Sequence, residues 1–545
     1  MVPALTFLCF VLLIWGYFFL HPLDYKDLGK HSLASLTFIS NFVYWKESNY
    51  FDTSSLEKWL LHTWSLSVEW QFYLIYPVVL LLCKRLLSSF RLKFLILIAF
   101  IFCFFFSIVI TYKSSSAAYY LLPTRAWQML VGGIVFLFPL TIASKSLKEF
   151  LHWAGIGFIV ASFFIFDSST PWPGFAALIP ILGVYLVLVS EKNHSFFIDN
   201  KIVQKLGTWS YSIYLWHWPI AVYGYLFVGS KYWYIVGLPL SIVLGALSYR
   251  FIESKRSNNF LSVKHFLRLS ALKTGIIVAL LSTLVFISDG ISKRLSYEET
   301  AIAQEVKAAE GDWEYPQPNL YIEDLKIRFV EGSSEKNILF IGASHIEQLY
   351  PYVSNIDTEY NIYFLSAGGC FVTPSAKNPK WSCENIQNYI HLLSRVNFQK
   401  IVTSFYSFNS YLPTAELART EEVEKRVNEF DSFLKTIKSH SDEVYLILGE
   451  PKGAAFRPRN AIRGDSTLAA VSVERVLENY KLHERALSSL TELAGVNIID
   501  PITSLCSDGK CRTRTEDFKF YYKDANHMRP WYVKKHAVYP KQIFD

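Results

Sequence analysis

From the N-terminus to about residue 290 the chain alternates between long apolar runs and short polar interruptions. Nine runs stand out: Leu5–Leu20, Phe72–Cys83, Phe94–Thr111, Ala126–Ile142, Leu151–Phe166, Gly174–Ser190, Ser210–Phe227, Trp233–Tyr249 and Gly275–Ser288. Most approach the roughly 20 residues that a helix needs to cross a bilayer core. The second is short and is expected to begin upstream, within Trp64–Trp70. The first is read as a membrane helix rather than a signal peptide, because no basic stretch precedes it and no small-residue cleavage pattern follows it.

After residue 290 the pattern changes. Residues 291–334 are polar and acidic and read as a linker, with one amphipathic helix at Glu298–Glu310. Beyond it, short β-rich runs (Asn337–Ile341, Ile362–Leu365, Lys400–Ser404, Val444–Leu448, Asn497–Asp500) alternate with helical patterns at Thr420–Ser439 and Val471–Ala494. That alternation predicts an α/β domain over residues 335–545 with a parallel sheet. The expected architecture is therefore a multi-pass α-helical membrane domain of about nine helices over residues 1–290, a linker, and an α/β domain.

Composition sharpens this. Of 545 residues, 52% are hydrophobic and 18% charged, with 43 Phe, 33 Tyr and 15 Trp. A disordered chain, a coiled coil, a collagen-like rod and a single soluble domain are all excluded. The net charge of +7 suggests nucleic acid only until the positive residues are located. They concentrate in the loops after the even-numbered segments: Lys84, Arg85, Arg91 and Lys93; Lys145 and Lys148; Lys192, Lys201 and Lys205; and Arg250, Lys255, Arg256, Lys264, Arg268 and Lys273. Read by the positive-inside rule, these loops are cytoplasmic and everything after Ser288 is outside. In a bacterium that means an inner-membrane protein with a periplasmic C-terminal domain, and no nucleic-acid partner.

The cysteines point the same way. Cys9, Cys83 and Cys103 fall in or beside apolar runs, whereas Cys370, Cys383, Cys506 and Cys511 form two locally spaced pairs in the outer half. Two disulfides suit an oxidising compartment. A four-Cys zinc site is the competing reading, to which these spacings are less suited. No metal cluster, P-loop or dinucleotide fingerprint stands in a suitable context.

Two motifs in the outer half carry chemistry. The first strand runs through Ile341-Gly342-Ala343-Ser344-His345 straight into a helical pattern, which puts Ser344 at the carboxyl edge of the sheet beside helix amides. Near the end comes Asp524-Ala525-Asn526-His527, where the Asp can orient the imidazole toward a serine. Alone, Ser344 reads first as a helix N-cap, the more frequent use of such a serine; paired with a late D-x-x-H the catalytic reading is far more specific. In the apolar half, ionisable and polar residues at bilayer depth suggest function by default: His62 and Glu69 before the second helix, Arg125 at the start of the fourth, and Tyr211 and His217 in the seventh. Structural readings stand beside these, namely a neutral packed His217 and a Glu69–Arg125 ion pair.

Asn337–Tyr350 with Asp524–His527 resembles the SGNH-hydrolase fold, and Leu505–Cys511 resembles the SGNH domains fused to membrane acyltransferases. In the membrane half, His62–Glu69 (H-T-W-S-L-S-V-E), Leu122–Trp127 (L-P-T-R-A-W), Ser210–Pro219 (S-Y-S-I-Y-L-W-H-W-P) and Leu247–Glu253 resemble the acyltransferase-3 family of membrane O-acyltransferases. The resemblance implies a three-layer outer domain with Ser344 as nucleophile, His527 as general base and Asp524 as orienter. Gly342 and Asn409 are the oxyanion candidates. It also implies acetyl-CoA as donor with no bound cofactor, and an envelope glycan as acceptor, O-antigen lipopolysaccharide before peptidoglycan. The alternatives are an extracytoplasmic carbohydrate acetyl-esterase and a degenerate scaffold.

Departures from the family are visible. Ala343 replaces the Asp of the usual G-D-S-H block, no G-x-N-D block is found, and Trp70 and Gln128 stand where Glu is frequent. Met1–Leu5 resembles the entry to the family's third helix, so the chain is expected to lack two family helices together with their His and Arg.

Overall fold

The apolar runs fold as helices because their backbone polar groups are satisfied within each segment. The computed structural model describes residues 2–48, 55–167, 170–192, 199–254, 270–376, 378, 382–409, 420–461 and 469–545. They divide into two units, Met1–Arg294 and Leu295–Asp545.

In chain order the first unit contains α1 (Val2–Phe19), α2 (Pro22–Leu36), α3 (Ser40–Glu47), α4 (Thr63–Leu86), α5 (Ser89–Lys113), α6 (Ser115–Tyr120), α7 (Leu122–Leu137), α8 (Lys145–Ile165), α9 (Leu178–Ser190), α10 (Lys201–Tyr223), α11 (Tyr234–Ser248) and α12 (Ser270–Ile287). Among the described residues, five helices are long and apolar enough to cross a membrane: Val2–Phe19, Thr63–Leu86, Phe90–Lys113, Lys145–Ile165 and Tyr234–Glu253. Leu178–Ser190 and Leu272–Ile287 are apolar but shorter. All nine expected runs carry helix, α4 starting at Thr63 as its upstream extension predicts. By length and hydropathy, then, five of the described helices qualify as crossings, and the expected count of nine is not confirmed. α7 has 16 residues, and α10 opens on a polar turn containing Lys201, Gln204 and Lys205.

Helices α2, α3 and α6 lie in stretches that the apolar pattern leaves as loops. α2 is polar on average, yet it buries Tyr25 and Leu28 in a core with Leu5, Leu8 and Leu12 of α1. The α8–α9 pair packs backbone to backbone: a Cβ added at Gly155 would sit 2.6 Å from Gly183 O, and one at Gly183 would sit 2.7 Å from Gly155 O. Small residues are what allow membrane helices this close.

The second unit is built on a seven-stranded sheet in the order β1-β2-β4-β3-β5-β6-β8. The strands are β1 (Leu320–Ile322), β2 (Leu325–Val330), β3 (Asn337–Gly342), β4 (Asn361–Ser366), β5 (Phe398–Ser404), β6 (Ser441–Ile447) and β8 (Val496–Ile499). A small second sheet joins β7 (Ala470–Ser472), β10 (Lys510–Arg512) and β9 (Cys506–Ser507). The five expected strands pair in parallel, but β1 and β2 add an antiparallel edge, so the sheet is mixed. Both extra strands come from the stretch read as a linker. So does α13 (Tyr297–Gly311), which opens on a Ser296/Glu299 capping box and is tied to the domain by Arg459–Glu310 and Arg529–Glu305 ion pairs.

Alternation along β3 sends Leu339 and Ile341 to one core and Ile338 and Phe340 to the other. α15 (Thr420–Lys438) covers the first face through Phe430, Phe433 and Leu434. α14 (Ser344–Glu347) and α16 (Pro530–His536) cover the second through Ile346 and Val533. The expected helix Val471–Ala494 is instead broken into β7, two short helices and a turn. Cys370 pairs with Cys383, and Cys506 with Cys511 across β9 and β10.

Candidate active site

The chain leaves β3 to pair first with β4 on one side and later with β5 on the other. The carboxyl end of β3 is therefore the point where the strand order reverses, the usual site of ligand crevices in open α/β sheets. Gly342 sits there with φ 156°, and a Cβ on it would lie 2.8 Å from Ile346 Cγ1. Any side chain would push the next turn away. Ala343 is the N-cap of α14 and Ser344 its first helical residue, so Ser344 does not serve as the cap.

Ser344 Oγ lies 2.8 Å from His527 Nε2, and His527 Nδ1 lies 2.8 Å from Asp524 Oδ2. The other carboxylate oxygen of Asp524 accepts from the amides of Asn526 at 2.9 Å and His527 at 2.8 Å. An ionised carboxylate only accepts, so Nδ1 carries the proton and Nε2 is left to accept from the serine hydroxyl. Burial alone would raise the Asp524 pKa, but the His527 charge and the three donated hydrogen bonds outweigh it and hold the group at about 2. Ser344 is fully buried and His527 is 2% exposed. The ring of Trp313 meets His527 edge-on at 5.3 Å.

Behind the triad lies a polar cluster that sequence reasoning missed. Glu450, fully buried beyond the end of β6, accepts from Gln348 Nε2 at 2.8 Å, His345 Nδ1 at 3.0 Å and Tyr539 OH at 3.0 Å. Gln348 Oε1 in turn accepts from the amide of Met528 at 3.0 Å, which fixes the backbone directly after His527. The His345 ring stacks on His527 at 4.8 Å, and burial, only partly opposed by Glu450, lowers its pKa to about 4. Burial likewise brings Lys452 down to about 8. The available signal was an acidic residue just past the carboxyl end of a central strand.

Of the oxyanion candidates, Gly342 is at the site. Asn409 ends the one-turn helix Tyr406–Asn409 that follows β5, and its side chain lies outside the described residues.

In the first unit the structure brings two of the five candidates together. His62 Nδ1 lies 2.9 Å from His217 Nε2. The alternative reading of Glu69 and Arg125 as an ion pair is not met: none forms between them among the described residues. Arg125 instead donates to Gln128 Oε1 and Tyr119 O, both at 3.1 Å, and lies over the rings of Trp64 and Tyr119. Gln128, the Tyr119 carbonyl and these aromatic faces satisfy the guanidinium in place of Glu69. Tyr211 packs on α10 against the core of the first unit.

Comparison with known proteins covers both units. Residues 1–250 match the family model described as an acyltransferase domain, and residues 315–535 match that described as an SGNH domain fused to AT3 domains. The chain is 29% identical over 284 residues to peptidoglycan O-acetyltransferase OatA of Listeria monocytogenes, which covers 48% of this chain and 46% of the relative. It is 28% identical over 277 residues to O-acetyltransferase OatA of Staphylococcus aureus, covering 47% and 45%. A putative membrane-bound transacylase, BcsY of Komagataeibacter xylinus, is 28% identical over 264 residues, covering 46% and 66%. The chain thus spans under half the length of the OatA relatives. No solved structure matches it. The chain therefore carries an acyltransferase domain over residues 1–250 followed by an SGNH domain over residues 315–535, in the order of the proteins in which an SGNH domain is fused to AT3 domains.

Proposed function

We propose that this chain is an inner-membrane O-acetyltransferase that moves acetyl groups from acetyl-CoA to hydroxyls of a cell-envelope polysaccharide. The observation that carries the reading is the continuous hydrogen-bonded chain Asp524–His527–Ser344 in the domain that follows a unit of apolar helices. Ser344 Oγ attacks the carbonyl carbon of an acyl group delivered through the membrane unit; His527 Nε2 takes the serine proton and passes it to the donor's leaving group as that bond breaks, and Asp524 stabilises the imidazolium. A glycan hydroxyl then attacks the acyl-serine, His527 taking its proton and returning it to Ser344 Oγ as the acyl–serine bond breaks. The SGNH domain works in the periplasm, where its acceptor is.

The acceptor expected first was lipopolysaccharide O-antigen. The name of the Listeria monocytogenes relative supports peptidoglycan instead. The intact triad counts against the scaffold alternative.

The test is mass spectrometry of muropeptides and lipopolysaccharide from a deletion strain complemented with this chain or with its Ser344→Ala variant. Acetylated muropeptides with the wild type, and loss of at least about 100-fold with Ser344→Ala, are expected. Acetyl groups that increase when the chain is deleted would make it an esterase. Acetylation independent of Ser344 would remove the serine from the reaction.

A further inference from the structure

The imidazole of His62 has its protonation pattern dictated by its neighbours. His217 Nδ1 lies 2.6 Å from the carbonyl oxygen of Tyr214. A carbonyl only accepts, so His217 carries its proton on Nδ1 and presents a lone pair at Nε2. That lone pair faces His62 Nδ1 at 2.9 Å, so His62 Nδ1 must be the donor. The lone pair of His62 is therefore on Nε2, which makes no hydrogen bond among the described residues.

The ring that bears this lone pair is held on every side. Trp218 stacks on His62 at 3.9 Å and 22°, and Tyr214 lies nearly parallel to it at 5.7 Å. Tyr214 OH donates to the backbone oxygen of His62 at 2.8 Å, and Trp218 Nε1 donates to Lys58 O at 2.8 Å. A narrow cleft bordered by Trp59, Thr63, Leu215 and Pro219 opens at His62. The arrangement parallels the serine triad in logic: an acceptor fixes one ring nitrogen and leaves the other as a base. The Trp218 face also favours a positive ring beside it.

We propose that His62 is the general base of an acyl-transfer site in the membrane unit, with His217 as its positioning residue. The inference rests on the acyltransferase reading above. The donor is an acyl thioester and the acceptor a hydroxyl. The acceptor O–H bond breaks as its proton passes to His62 Nε2, and the oxygen forms a bond to the acyl carbon. The C–S bond breaks with its electron pair on sulfur, and Nε2 returns the proton to that sulfur. His62 is unchanged at the end, and His217 Nε2 holds the Nδ1 proton of the transient imidazolium.

The test uses membranes of a strain expressing the full chain, which hold the native acceptor, supplied with radiolabelled acetyl-CoA. Alkali-labile label in the glycan fraction is counted. His62→Ala is expected to lower transfer at least about 100-fold at unchanged membrane abundance. Added imidazole is expected to restore at least a tenth of wild-type transfer. His217→Gln, which keeps an acceptor for the Nδ1 proton, is expected to stay within about tenfold of wild type, and His217→Leu to fall with His62→Ala. Transfer above one third of wild type in His62→Ala, or a loss that imidazole does not relieve, overturns the general base. Equal losses in His217→Gln and His217→Leu overturn the positioning role. Absence of transfer by the wild-type chain itself overturns the underlying functional reading, and this inference with it.

Discussion

Asp524 is the residue that decides which nitrogen of His527 faces the serine. Both its oxygens are occupied, one by the imidazole and one by two amides of its own loop. Asp524→Asn can present an NH2 to Nδ1, which moves the ring proton to Nε2 and leaves Ser344 without a base. Turnover of a chromogenic acetyl ester by the full chain is expected to fall by about 10³–10⁴-fold, mostly in kcat. The same carboxylate has a pH signature. Its pKa is depressed in the fold to about 2, so its stabilising contribution is fully present above the unfolded value near 4 and is lost as pH falls through about 2. Acid unfolding, followed by hydrogen exchange across the second unit, is therefore expected to be steeper between pH 4 and 2 in wild type than in Asp524→Asn. A serine after a strand and a D-x-x-H are local patterns, so these three residues were legible in the sequence. The support behind them was not. Gln348 is 102 residues from Glu450 and 180 from Met528, and only the folded sheet brings them into hydrogen-bonding distance.

Whole elements were legible where the pattern was strong, and misread where tertiary contacts override it. Strands β3 to β6 followed from short β-rich runs because each is buried on both faces, whereas β8, at the edge of the sheet, followed from the same kind of run although it fully buries only Ile499. The stretch after β7 has apolar residues at helical spacing, yet it turns at Glu478–Tyr480 so that Tyr480 OH can donate to Glu450 O at 2.5 Å and His483 Nε2 can donate to Tyr406 O at 2.9 Å. Satisfying those buried carbonyls outweighs the continuity of a helix. In the first unit, runs of Phe and Leu identify helices but not their partners, because an outward face and an inward one are equally apolar. The glycines are what distinguish them. Gly155 meets the backbone of α9, whereas nothing lies within 4 Å of a Cβ at Gly157 two residues on. Gly155→Leu must separate α8 from α9 and is expected to cost about 1–3 kcal/mol, as overpacking does. In a thermal-shift assay on the detergent-extracted chain, Gly155→Leu should melt several degrees lower, and Gly157→Leu should melt with wild type. Equal melting of both variants would mean that the close approach is not formed.

At the scale of the molecule the open relation is between charge distribution and sidedness. Lys148 pairs with Glu191 at 3.2 Å, and Lys192 with Glu149 at 2.7 Å, so the start of α8 and the end of α9 share one cluster of charge. Two of the basic connections thus lie at the same end of that hairpin, as a common cytoplasmic face requires. The free cysteines Cys83 and Cys103 are partly exposed and Cys9 is buried, so a background with Cys83→Ser and Cys103→Ser suits site-directed labelling. In it, Lys145→Cys and Glu331→Cys, both at exposed positions in the two units, are treated with a membrane-impermeant maleimide in cells with a permeabilised outer membrane. Glu331→Cys is expected to label at once and Lys145→Cys only after lysis. The reverse result would put the Ser344 site in the cytoplasm, beside the acyl-CoA pool and away from any envelope glycan. Ser344 would then take the acyl group directly from acetyl-CoA, and the proposed transfer to an envelope glycan on the outer side would fail.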